Sequence, residues 1–120
     1  MTNLGEVSRA WRWFFLAAAT YNLLIGLAGM ITPGATVDAR IVGLLVFAFG
    51  VIYYLVSRDP LRFAPTLWAG VIGKAGVVGL LAPEGFVENG DSLIAAILIG
   101  DMLFTLGFLV FLLRRDKMAG

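Results

Sequence analysis

From Ser92 to Leu113 the chain reads SLIAAILIGDMLFTLGFLVFLL, with one charged residue, Asp101, near its middle. A helix rises about 1.5 Å per residue, so such a stretch covers roughly 30 Å, the thickness of a bilayer's hydrocarbon layer. It shows no period-two alternation and is too long for a barrel strand. Three more stretches have the same character, at about 13–31, 37–57 and 64–82, the last interrupted by Lys74. The second is short in strictly apolar residues, and Arg40 is expected to snorkel at its end. The predicted fold class is therefore all-α. It is a polytopic membrane protein with four transmembrane helices, forming one four-helix bundle over residues 1–120.

Composition agrees. Of 120 residues, 60% are hydrophobic and 14% charged, with mean hydropathy +0.92. Ordinary soluble domains are about 45–50% apolar and about 25% charged. The formal net charge of +1 offers no basic field for nucleic acid. Neither Cys nor His occurs. Disulfides, thiol chemistry, iron–sulfur clusters and the commonest haem and zinc ligand are thereby excluded, so no metal or cofactor is expected.

Breaker residues separate the spans: Pro33-Gly34, Asp59-Pro60, Pro83-Glu84-Gly85 and Asn89-Gly90-Asp91. Pro65 is expected in the first turn of the third helix, and Asp91 or Ser92 as N-cap of the fourth. Short connections predict antiparallel neighbours. The first span is read as an uncleaved helix, being longer than a signal-peptide core. Basic residues near the span ends divide unevenly. Arg9, Arg12, Arg58, Arg62, Arg114, Arg115 and Lys117 fall on one side, and Arg40 alone on the other, with Asp38, Glu84, Glu88 and Asp91. That asymmetry predicts cytoplasmic termini and the bacterial inner membrane. Trp11, Trp13, Tyr53, Tyr54, Phe63 and Trp68 are expected to form an interfacial aromatic belt.

Lys74 and Asp101 lie roughly 15 Å and 18 Å in from the cytoplasmic ends of their helices, near the bilayer centre. A lone charge there costs on the order of 2.5–3.5 kcal/mol or more, which predicts an ion pair between them. Tyr21 and Asn22 lie at a similar depth on the first helix, and Thr105 lies one turn beyond Asp101. Asn22 is expected to supply a further hydrogen bond. These five residues form the candidate polar centre. Glycines are expected at helix contacts. They are Gly43 and Gly50 on the second span, Gly70, Gly73, Gly76 and Gly79 on the third, and Gly100 and Gly107 on the fourth. Gly26 and Gly29 share the Asn22 side of the first.

Several segments together resemble DoxX-like four-span bacterial membrane proteins. They are Tyr21-Asn22-Leu23-Leu24-Ile25-Gly26, Arg40-Ile41-Val42-Gly43, Gly50-Val51-Ile52-Tyr53-Tyr54, Gly73-Lys74 and Gly100-Asp101-Met102-Leu103-Phe104. The resemblance implies a fold and a location, with no shared reaction to carry over. A sterol-isomerase type bundle is the second likeness, but it carries more than one buried acid.

The leading functional expectation is a small non-enzymatic inner-membrane protein, an accessory or transport-type component centred on Lys74 and Asp101. Its partners would be the lipid bilayer and, through glycine-rich faces, further copies or a larger membrane complex. The alternative is a membrane enzyme or binding protein for a lipid-like ligand such as a quinone, sterol or isoprenoid. There Asp101 would act as acid or base, Lys74 would tune it, and Tyr21 and Asn22 would orient the ligand. A purely structural subunit is the third possibility.

Overall fold

The computed structural model describes residues 8–85 and 91–118, and the turn expected around Asn89-Gly90 lies outside them. The described residues are helical, without strands. In chain order the helices are α1 (Arg9–Ile31), α2 (Val37–Arg58), α3 (Pro60–Phe63), α4 (Leu67–Gly85) and α5 (Ser92–Met118). A 3₁₀ turn at Ala64–Thr66 precedes α4. Four helical stretches are long and apolar enough to cross a membrane. Packing divides the chain into two compact units, one running to Ala64 and one from Pro65 to Lys117.

The first unit is an antiparallel hairpin of α1 and α2. Its turn follows from sequence. The Ala35 N–H donates to Thr32 O at 3.2 Å, Pro33 takes the second turn position, and Gly34 the third with φ +77°. Positive φ at that position is the mark of a type II turn, which Pro then Gly suits. Thr36 Oγ1 accepts from Ala39 N at 3.1 Å and caps α2.

Glycine then sets how closely the two helices approach. A methyl group on Gly26 would come within 2.6 Å of Gly43 O, and one on Gly43 within 2.8 Å of Gly26 O. At Gly50 the added carbon would meet Leu23 Cδ2 at 2.9 Å. Between these contacts the buried Asn22 donates its amide N–H to Val46 O at 3.1 Å. Phe15, Ala18 and Ala19 on α1, and Tyr53 and Val56 on α2, complete the buried face.

Arginines join the hairpin at both ends. Arg40, in the first turn of α2, donates to Met30 O at 2.6 Å, Ala35 O at 3.4 Å and Thr32 O at 3.5 Å. Arg12, near the start of α1, donates to Arg58 O at 3.2 Å, at the end of α2. Each arginine thus places its guanidinium at the C-terminal end of the neighbouring helix, where positive charge is favoured. The Arg40 guanidinium, expected to snorkel, is turned onto the end of α1.

The second unit contains α4 and α5. Asp91 Oδ1 accepts from Leu93 N at 2.9 Å and Ile94 N at 3.3 Å, so Asp91 is the N-cap of α5. That helix runs five residues past the expected end, because Arg114, Arg115 and Lys117 are good helix formers and suit a helix C-terminus. The third span departs from expectation at both ends. Pro65 lies in the 3₁₀ turn rather than the first α-helical turn. Pro83 lies inside α4, which continues to Gly85. A proline so near a helix end removes one backbone bond, to Gly79, and little helix remains to be broken.

Tyr53 leaves the expected aromatic belt, being 1% exposed in the hairpin core. Trp13, Tyr54 and Trp68 are exposed as a belt requires. Trp11 stacks on Phe15 with ring centroids 5.9 Å apart.

Candidate functional site

Helical spacing puts Leu67, Gly70, Lys74, Val78 and Leu81 on one stripe of α4, and buries or half-buries all five. The same spacing on α5 aligns Leu98, Asp101, Thr105, Phe108 and Leu112, again buried or half-buried. Large apolar side chains point the other way. Ile72 and Leu80 on α4, and Leu103, Leu106 and Leu113 on α5, are between 60% and 81% exposed. They lie about half a turn round their helices from the two charged residues. Lys74 is 6% and Asp101 7% exposed. Leucines outside and charges inside reverse the arrangement of a water-soluble protein. A membrane span has this arrangement, with its ionisable groups facing the interior.

The two charges form the expected pair. Lys74 Nζ donates to Asp101 Oδ1 at 2.6 Å, a short charge-assisted hydrogen bond. Phe104, one turn after Asp101, places its ring centroid 5.7 Å from Nζ and adds a cation–π contact. Thr105 donates its hydroxyl to Asp101 O at 2.7 Å. Its role is to satisfy itself on its own helix, and it leaves the carboxylate untouched. Thr20 and Thr32 do the same at Leu16 O and Ala28 O, the habit of hydroxyls in helices without water partners.

One carboxylate oxygen is left over. Lys74 engages Oδ1, and Asp101 has no other side-chain partner among the described residues. No fully buried polar side-chain atom among them lacks a hydrogen bond. Oδ2 therefore lies at the margin of the buried region, open to one further donor.

The other candidates divide. Asn22 commits its amide N–H to Val46 O and Tyr21 is half-buried, both within the first unit. Gly43 and Gly50 make the close approaches expected of them, and Gly70 is buried. Gly73, Gly76 and Gly79 do not, since an added carbon would meet nothing within 4 Å at any of the three. A series at three-residue spacing turns about 60° per step, and these three have turned away from the Lys74 stripe. Gly100 and Gly107 are half-buried. Phe104 was missed by sequence reasoning, although its position three residues after Asp101 on an apolar helix was the available signal. The capping roles of Arg12 and Arg40 were missed too; only an antiparallel hairpin brings each to its neighbour's C-terminus.

Among the described residues no group of Asp and Glu could hold a metal ion. Comparison with protein-family models, curated proteins and solved structures finds no match.

Proposed function

We propose that this chain is a four-span protein of the bacterial inner membrane, a non-enzymatic transport-type component with the Lys74–Asp101 pair as its working centre. The observation that carries this reading is the half-used carboxylate: Oδ1 bonded to Lys74 and Oδ2 open. A bridge kept only to fix helix register is most stable when every lone pair is satisfied. An open acceptor beside a compensated charge instead offers a small polar solute, a proton carrier or water a place to bind briefly. The pair is net neutral, so it holds such a visitor through hydrogen bonds rather than trapping it by charge. Catalysis is disfavoured, because Lys74 and Asp101 each stabilise the other's charge.

Transport requires water to reach the pair. The chain has no cysteine, so a single introduced thiol is an unambiguous reporter. Thr105→Cys places it one turn from Asp101. The expected result is rapid reaction of this thiol, in membranes, with a small charged methanethiosulfonate reagent. Reaction with lipid-soluble maleimides alone would mean a dry site and would overturn the transport reading.

A further inference from the structure

The hairpin of the first unit is electrically lopsided. At one end Arg9 and Arg12 open α1, Arg58 closes α2 and Arg62 lies on α3, all four exposed. Arg12 and the end of α2 are in direct contact through Arg58 O. Arg58 Nη1 reaches the Tyr54 hydroxyl at 3.4 Å, and the Arg62 guanidinium lies 5.3 Å from the Phe63 ring centroid. Asp59 is the only acid at this end among the described residues. At the opposite end the single arginine, Arg40, is turned onto three backbone carbonyls, and Asp38 lies exposed beside it. The guanidinium groups at the first end retain donors that the fold does not use. Guanidinium forks match phosphate oxygens in geometry and charge.

We propose that this four-arginine end is a binding site for the headgroup of an anionic phospholipid. The inference rests on the membrane-spanning reading above. In that setting the arginines stand where a span meets the headgroup layer, and Trp13, 62% exposed, follows Arg12 directly and lies one turn after Arg9. Basic residues grouped next to a span draw anionic lipid to the surface around them. Here three helices bring them to one hairpin end, which makes a local site rather than a diffuse field.

The chain has three tryptophans, and Trp11 and Trp13 flank Arg12. The full-length chain carrying Trp68→Phe, in phosphatidylcholine vesicles, therefore reports on this end through its fluorescence. A small fraction of the lipid is brominated high on the acyl chain, as either phosphatidylglycerol or phosphatidylcholine. Both should quench, with the anionic lipid enriched at least about fivefold, the factor one basic residue contributes at an anionic surface. Arg9→Gln with Arg62→Gln should at least halve that excess and leave quenching by brominated phosphatidylcholine unchanged. Neither side chain forms a hydrogen bond among the described residues, so the hairpin should remain intact. Equal quenching by the two lipids, or an excess that survives both substitutions, would overturn the site and leave the membrane reading standing. No quenching by either lipid would overturn both.

Discussion

At Lys74, a four-carbon stem carries an ammonium into surroundings that leave it 6% exposed, and one carboxylate oxygen at 2.6 Å compensates it. Removing either partner strands the other. Lys74→Met leaves a buried carboxylate without its cation, and Asp101→Leu leaves a buried ammonium without its anion. In soluble proteins such a break costs about 3–5 kcal/mol, whereas replacing both partners with apolar residues is often neutral. A membrane lowers the figure, because unfolded helices also find partners within lipid. Each single variant is expected to melt well below the wild type in detergent, and the double variant to recover most of the loss. A double variant no more stable than the worse single one would show that the two residues do not act as a pair. The pair was legible in the sequence because isolated charges in apolar helices have few ways to be compensated. The open Oδ2 was not, since which oxygen a lysine takes depends on rotamers that spacing leaves free.

Among the helices, glycine serves two different ends. Gly26 and Gly43 let the backbones of α1 and α2 approach so closely that neither position has room for a methyl group. Gly73 and Gly76 on α4 have open space where a side chain would go. Gly43→Leu should therefore overpack the hairpin and destabilise it by roughly 1–3 kcal/mol, measured as a fall in melting temperature in detergent. Gly73→Leu should leave the monomer's melting unchanged or slightly raised, since leucine is a far better helix former than glycine. A drop at Gly73 equal to that at Gly43 would mean that a further surface packs on α4. Sequence alone did not separate the two sets. A small residue at helical spacing suits a close backbone contact and an exposed face equally well, and only the partner helix decides. Asp91 as an N-cap and Pro33-Gly34 as a turn were legible because their chemistry is local: a carboxylate two residues before a free N–H, and a glycine where φ must be positive. Tyr53 was assigned to the belt by its distance from the helix end. It lies instead on the face of α2 that carries Gly43 and Gly50, and that face is buried.

For the whole molecule the governing quantity is where the charges stand along the chain. The first unit alone has four exposed arginines at one hairpin end and, at the other, an arginine engaged by backbone carbonyls beside an aspartate. In the second unit, α5 begins at an aspartate and ends in Arg114, Arg115 and Lys117. Basic residues close to a span resist transfer across the membrane, whereas acidic ones have little influence. Under the proposed membrane-spanning reading, this rule predicts the Pro33-Gly34 turn outside and the chain termini inside. Alkaline phosphatase, which is active only outside the cytoplasm, should be active when inserted after Gly34 with the rest of the chain following it, and inactive when fused after Gly120. Green fluorescent protein, which stays dark when exported unfolded across the membrane, should fluoresce when fused after Gly120 and stay dark when inserted after Gly34. The four hairpin arginines should also control the result. Replacing Arg9, Arg12, Arg58 and Arg62 with glutamine leaves Arg40 as the first unit's one basic residue and reverses its bias, and phosphatase activity at Gly34 should fall as a fraction of chains insert the other way. Strong phosphatase activity at Gly120 in the unsubstituted chain would reverse the orientation. Unchanged activity at Gly34 after all four substitutions would mean that the end of α5, rather than the first hairpin, sets the topology.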